Sequence, residues 1–143
     1  MDALMLYARV RADLDDVEER IRGNSWLAEL EAGRLSPAAL RAFAGEQLQV
    51  IPSDLRSFQM LADRFAGDPA DGYLEGMVAG ERAALQALET FAAAVGLDEQ
   101  ARQGYEPAAG CQAYPSFVAR LARDGTPAEV AGCLLYTSDA ADE

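Results

Sequence analysis

Three polar residues occur at positions where a helical pattern predicts an apolar core. At about 100° per residue, Gln47 and Asp54 fall near the middle of one apolar stripe, and Glu81 falls on the inward face of the next helix. A buried amide or carboxylate costs stability unless it has a partner. Two interpretations stay open. The three side chains are paired within the protein, or they form the polar floor of a ligand cavity between helices.

The elements that must position these residues are all predicted to be helices. Apolar residues recur at three- and four-residue spacing, without the alternation typical of strands. We predict helices near 3–22, 37–66, 69–95, 98–104, 114–124 and from 127 onward, with a short helical turn at Trp26–Leu30 ended by Gly33. The two stripes that flank the polar residues are Leu40, Ala44, Ile51, Leu55, Phe58, Ala62 and Phe65, and then Leu74, Val78, Leu85, Leu88 and Ala92.

Proline marks both starts and bends in these helices. A polar N-cap residue is followed by Pro three times, at Ser36-Pro37, Asp68-Pro69 and Thr126-Pro127, a pattern typical of helix starts. Pro52 lies inside the second long helix, where the missing N–H and the ring are expected to bend it.

Composition excludes several classes of protein. With 143 residues, half of them hydrophobic, the chain has room for one domain with a core. Its net charge is −12, which disfavours binding to nucleic acid. It has no basic leader followed by an apolar run and no stretch long enough to span a membrane, so we predict a cytoplasmic protein that does not bind membranes. The use of Arg without Lys, with abundant Ala, is typical of a GC-rich bacterial genome.

The absence of histidine limits the chemistry further. Without His, and with only Cys111 and Cys133, the chain cannot build the usual Cys/His zinc site, a His-ligated haem or a Cys-His nucleophile pair. We therefore expect neither a metal nor another cofactor. Cys111 is interpreted as a small buried residue rather than a redox or nucleophilic one.

The last eleven residues, Cys133 to Glu143, look foreign to the protein. Their sequence, CLLYTSDAADE, resembles residue for residue the conceptual translation of a transposase-type sequencing adapter. We therefore predict that residues 1–132 are part of a natural domain, that 133–143 are a non-native tail, and that the natural protein continues beyond Gly132. The shortened chain is expected to be inactive and marginally stable, because missing helices would leave apolar stripes uncovered.

Three segments resemble, in order, the motifs of the TenA/PqqC family, whose members are haem-oxygenase-like helical bundles. Residues 24–36 (NSWLAELEAGRLS) are similar to the family opening His-Pro-Phe-x-x-x-Leu-x-x-Gly-x-Leu, and 43–50 (FAGEQLQV) to Tyr/Phe-x-x-Gln-Asp-Tyr-x-Tyr. The Ala113-Tyr114 pair and the helix, glycine and helix start after it resemble the family's later segment. The similarity spans about 12–132, so the closing helices of the bundle would be missing.

The resemblance implies roles for individual residues. Gln47 stands where the family's pyrimidine-binding Asp occurs, and an amide cannot carry that Asp's negative charge. Val50 replaces a family Tyr. Tyr114 matches the Tyr that stacks on the pyrimidine, although core packing would also explain it, and Glu81 stands where relatives carry an acid. The family's nucleophilic Cys and acid/base Glu would lie beyond Gly132, so the catalytic residues are unknown and Cys133 is not the nucleophile.

Three functional hypotheses follow, and they leave open whether the parent is an enzyme. The first is a divergent TenA-like protein that binds a thiamin-related or other small nitrogenous ring compound and hydrolyses a C–N bond. The second is a PqqC-like oxidase or oxygenase. Ala84 argues against it, because a metal-binding Glu-x-x-His pair starting at Glu81 would need His at that position. The third is a non-catalytic helical binding domain. The ligand site would comprise Gln47, Asp54, Glu81 and Tyr114, and the full-length parent could form a homo-oligomer, as family members often do.

Overall fold

The computed structural model describes residues 3–68 and 71–139, which form helices joined by short connections. In these ranges there is no strand, so the prediction of an all-α fold is confirmed. The helices are α1 (Ala3–Arg22), α2 (Trp26–Glu31), α3 (Pro37–Arg64), α4 (Asp71–Ala94), α5 (Glu99–Gln103), α6 (Ala109–Asp124) and α7 (Pro127–Asp139).

The described residues divide into two compact units, 3–35 and 36–139 without the undescribed residues 69–70. In the first unit, the Asn24 side-chain oxygen accepts a hydrogen bond from the Trp26 N–H at 2.9 Å and so turns the chain into α2. After α2, Gly33 adopts φ 67°, a left-handed conformation that glycine allows without steric cost. The predicted stop at Gly33 therefore has a backbone reason.

The second unit is organised around α3, which packs against α4 and α6, while α6 also contacts α7. Its buried apolar residues form two clusters. The larger cluster comprises Phe58, Leu61, Ala62, Leu74, Val78, Val118, Ala122, Val130 and Leu134. The smaller cluster comprises Ala44, Leu88, Ala92 and Leu97. Most of the residues predicted to face inward on α3 and α4 belong to one of these clusters or are partly buried beside it.

Two of the predicted helix starts have the expected caps. The Ser36 hydroxyl accepts a hydrogen bond from the Ala39 N–H at 3.1 Å, with Pro37 as the first residue of α3. At the start of α7, Thr126 and Glu129 form a reciprocal capping box: Glu129 Oε2 accepts from the Thr126 N–H at 2.8 Å, and the Thr126 hydroxyl accepts from the Glu129 N–H at 3.3 Å. The third start includes Pro69, which lies outside the described residues, and α4 begins at Asp71.

The start of α6 was predicted wrongly. The helix begins at Ala109 rather than near 114, and Pro115 lies inside it and is buried. Ala108 precedes the helix, and its N–H donates to Glu46 Oε1 on α3 at 3.0 Å. A carboxylate from another helix therefore accepts a hydrogen bond from the backbone at the start of α6. A cap of this kind cannot be recognised from the residues next to the helix start. Pro52 lies within the continuous helix α3, and a bend there stays a prediction.

Two further predictions concern the ends and the surface of the chain. Helix α7 extends to Asp139, while residues 140–143 lie outside the described residues, and the foreign origin of 133–143 stays a prediction. Among the helices that the structure describes, none has a stretch long and apolar enough to cross a membrane.

Candidate functional site

Asp54 is a buried carboxylate in the middle of α3. Its side chain points from α3 into the second unit, and the residue is only 4 % exposed. Its Oδ1 has no hydrogen-bond partner among the described residues. Burial raises the pKa of Asp54 to about 6, and a hydrogen bond with Tyr114 lowers it in part. Asp54 thus titrates near neutral pH, which is typical of carboxylates in functional sites.

Glu81 brings a second carboxylate from α4. The residue is partly buried, and its Oε2 is shielded from solvent without a hydrogen-bond partner among the described residues. Its pKa is raised by burial first and by the negative charge of Asp54 second. The charge of Asp54 thus acts on Glu81 from the neighbouring helix, and each acid keeps a buried oxygen without a partner among the described residues.

Tyr114 on α6 completes the group. Its hydroxyl lies close enough to Asp54 to lower the pKa of that acid, while the residue as a whole is 41 % exposed. Burial of the hydroxyl and the nearby charges of Asp54 and Glu81 raise the pKa of Tyr114, so the phenol stays protonated and donates. The side chain thus has its hydroxyl on the acids and part of its surface in solvent.

The structure brings together three of the four residues that the sequence singled out as ligand-binding. Asp54, Glu81 and Tyr114, called the acidic triad below, come from α3, α4 and α6. Gln47 lies two turns before Asp54 on α3 and is partly buried, and its participation in a site stays a prediction. Cys133 on α7 also acts electrostatically on Tyr114.

The acidic triad lies where the apolar core is interrupted. Along α3, Asp54 lies between Ala44 of the smaller cluster and Phe58 of the larger one. Along α4, Glu81 lies between Val78 and Leu88, which belong to the same two clusters. Apolar side chains above and below lower the local polarity, which strengthens any hydrogen bond or charge interaction that the acids make.

The chemistry available to the acidic triad is recognition of a positively charged donor group. Two carboxylates with unused acceptor oxygens can accept hydrogen bonds from a protonated ring nitrogen or an amine. A partly exposed aromatic ring can stack on a flat ligand or contact a cation.

A second polar cluster was missed by the sequence analysis. It joins Glu46 on α3 to Tyr105 and Cys111 near the start of α6. The partners are about sixty residues apart in the chain, and no motif links them. Cys111 was interpreted as a small buried residue, and in the structure it is only partly buried. Burial and Glu46 raise the pKa of its thiol to about 11, which keeps it protonated and a poor nucleophile.

Three pockets in the second unit lie away from the acidic triad. An apolar pocket of about 240 Å³ lies between the end of α3 and α7, lined in part by Phe65, Leu74 and Val130. A pocket of about 420 Å³ lies between α3 and α4 near Asp63 and Arg82, and one of about 370 Å³ lies beside Arg41 and Tyr105. None of these three is lined by a member of the triad.

Comparison with known proteins gives one match. A model of the TENA/THI-4/PQQC family matches residues 25–137, a range that includes all three members of the acidic triad. Searches of curated proteins and of solved structures found no match.

Proposed function

Because the chain belongs to the TENA/THI-4/PQQC family, we propose that its acidic triad binds a small nitrogenous ring compound carrying a protonated nitrogen. Asp54 is the anion that faces the protonated nitrogen. Glu81 accepts a second N–H, such as that of an exocyclic amine. The Tyr114 ring stacks on the plane of the ligand while its hydroxyl orients Asp54.

One observation carries this proposal. Asp54 Oδ1 and Glu81 Oε2 are both shielded from solvent, and neither has a hydrogen-bond partner among the described residues. An unpaired buried carboxylate oxygen is costly, and a ligand that donates to both oxygens would remove this cost. Gln47 stands in place of the family's Asp and carries no charge. In this proposal Asp54 and Glu81 supply the negative charge from other positions.

The pKa of Asp54 gives the site a defined pH range. Its value of about 6 means that the carboxylate is mostly ionised above that pH and mostly neutral below it. A protonated ring needs the ionised form, so its affinity rises as the pH increases through about 6. The affinity falls again where the ring itself loses its proton.

For the full-length parent, we extend the proposal to hydrolysis of a C–N bond. The nucleophilic Cys and the acid/base Glu would come from residues beyond Gly132, and the triad would hold the ring. The chain as it stands is expected to bind without turnover. Turnover by this chain would contradict this assignment of the catalytic residues.

The test is calorimetric titration with 4-aminopyrimidine and, as the matched control ligand, 4-methylpyrimidine, which lacks the amine. We expect the amine to bind more tightly than the control near pH 6, where a substantial fraction of the ring is protonated and of Asp54 is ionised. Asp54→Asn should weaken this binding about tenfold or more, as loss of a charged hydrogen bond does. The exposed acid Glu75 on α4 supplies the control variant Glu75→Gln, which should bind normally. Equal binding of both ligands, or no change in Asp54→Asn, would contradict the proposal and favour a non-catalytic helical module with structurally used acids.

A further inference from the structure

The start of α6 is fastened to one turn of α3 by a set of polar contacts centred on Glu46. Glu46 Oε1 accepts hydrogen bonds from the Tyr105 hydroxyl at 2.7 Å and from the Ala108 N–H at 3.0 Å. The Cys111 thiol lies 3.4 Å from the Glu46 main-chain oxygen. Three successive points of the chain, on both sides of the first residue of α6, are thus held by a single residue of α3. We call this group the Glu46 clamp.

Close packing supports the same junction. The Tyr105 ring lies against Gly45, where an added Cβ would be 2.5 Å from ring carbons. The Tyr105 hydroxyl is also 3.1 Å from the Ala42 carbonyl oxygen. Such an approach leaves little freedom for the residues before α6 to shift along α3.

The protonation states keep the clamp intact near neutral pH. The Cys111 thiol, the Ala108 N–H and the Tyr105 hydroxyl lower the pKa of Glu46, so it is an ionised acceptor. Burial and Glu46 raise the pKa of Tyr105 to about 12, so the phenol is a donor. Hydrogen bonds of this charged kind are the stronger class.

The clamp and the acidic triad share the same two helices. Tyr114 is one turn after Cys111 on α6, and Asp54 is eight residues after Glu46 on α3, a distance of about 12 Å at 1.5 Å per residue. Because a helix is rigid over one or two turns, the place on α3 at which α6 begins determines where Tyr114 lies relative to Asp54.

We propose that Glu46 is a positioning residue for the ligand site, holding α6 so that the Tyr114 hydroxyl meets the Asp54 carboxylate. The inference rests on the proposed function only in treating this pair as part of the ligand site. The alternative is that Glu46 stabilises the fold without affecting the pair.

The test follows the pKa of Asp54 in the ligand-free full chain by carbon-detected NMR titration, with Asp54→Asn to assign the resonance. The groups that face Asp54 are Glu81 on α4 and Tyr114 on α6, with Cys133 on α7 near Tyr114. Glu46→Ala should raise the pKa of Asp54 by about one pH unit, the value of one charged hydrogen bond. Removing the negative charge of Glu46 would by itself lower this pKa, so the sign separates loss of positioning from loss of charge.

Two further variants sharpen the result. Glu46→Gln removes the charge but keeps an acceptor oxygen for Tyr105 and Ala108, so it should keep the Tyr114–Asp54 bond and leave the pKa of Asp54 at or slightly below its wild-type value. Glu46→Ala should have no additional effect in a Tyr114→Phe background, where the bond to Asp54 is already absent. Tyr105→Phe removes one of the contacts to Glu46, together with the contact to the Ala42 carbonyl oxygen, and provides the same readout if Glu46→Ala does not fold.

The outcomes are distinct. An unchanged or lowered pKa of Asp54 in folded Glu46→Ala, or an equal shift with and without the Tyr114 hydroxyl, would overturn the positioning role. Failure of 4-aminopyrimidine to bind, with the expected pKa shifts present, would contradict the proposed function and leave the positioning role standing.

Discussion

The Tyr114 hydroxyl on α6 interacts with the Asp54 carboxylate on α3, between the two apolar clusters to which α3 and α4 contribute. This pair links two helices through an acid whose pKa is raised to about 6. It also shows how a stability cost and a binding capacity coincide, because burial makes the carboxylate both unfavourable and able to bind a charged donor.

The first prediction concerns stability against pH. The pKa of Asp54 is raised from its ordinary value of 3.8 to about 6 in the folded chain, so the folded state favours the neutral acid. The free energy of unfolding should therefore fall as pH rises from about 4 to 6, by on the order of 2–3 kcal/mol from this group, and stay level above that. Asp54→Asn should remove the contribution of Asp54 and leave only the smaller slope that Glu81 causes, and it should be more stable than wild type at pH 7. Urea unfolding between pH 4 and 8 measures both effects.

A control separates Asp54 from the other acids. Glu75→Gln, at an exposed position on α4, should keep the wild-type slope between pH 4 and 6. The prediction is wrong if Asp54→Asn is less stable than wild type at pH 7, because the carboxylate would then be stabilising in its ionised form.

The second prediction concerns the interaction between the two acids. The charge of Asp54 contributes to the raised pKa of Glu81, so Asp54→Asn should lower the pKa of Glu81. Burial is the larger cause, so the pKa should stay above its ordinary value. Carboxyl NMR titration of wild type and variant checks this, with Asp63→Asn, an exposed change on the same helix, as control. An unchanged value in Asp54→Asn would show that the two carboxylates do not interact.

The third prediction tests the contact between α3 and the chain before α6. Gly45→Ala places a Cβ 2.5 Å from the Tyr105 ring, so the ring must move, at a cost of about 1–3 kcal/mol. Gly76 on α4 has nothing within 4 Å of its added Cβ, so Gly76→Ala should stabilise the helix by about 0.5–1 kcal/mol. Chemical denaturation of both variants gives the comparison. Equal effects of the two substitutions would mean that Tyr105 does not pack on Gly45.

Sequence periodicity located Asp54 and Glu81 because each helix has a regular stripe, and a polar residue inside that stripe is visible without knowing its neighbours. Tyr114 came into view through the family motif. Ser36-Pro37 and Thr126-Pro127 marked helix starts because their caps are formed by residues three positions away. Local spacing was sufficient to predict Asp54, Glu81 and the two helix starts, whereas Tyr114 was identified through the resemblance to the family.

The start of α6 and the Glu46 clamp could not be predicted in this way. The cap of α6 comes from a residue sixty-two positions earlier, and its formation depends on how α3 and α6 pack. Packing geometry is set by the whole helix surface, so Ala108 carries no signal of its own. The same reason hid the role of Arg64, whose partners are main-chain oxygens of another helix.

The fourth prediction concerns the end of α6. The last carbonyl groups of a helix have no partner within it. Arg64 at the end of α3 donates to the carbonyl oxygens of Leu121 and Ala122, and to that of Gly125 at 3.0 Å. Arg64→Met keeps most of the side-chain length but removes these donors, so it should lower the free energy of unfolding by about 1–3 kcal/mol.

Arg56 provides the matched control for this substitution. It lies on the same helix and is exposed, so Arg56→Met should change the free energy of unfolding by less than about 0.5 kcal/mol. Urea denaturation gives the stability of both variants, and amide hydrogen exchange locates the change. In Arg64→Met, protection should fall first in the last turn of α6, whose carbonyl groups lose their donors. Uniform loss of protection across α3, α4 and α6, with the end of α6 no more affected than the rest, would show that Arg64 stabilises the unit by another route than capping α6.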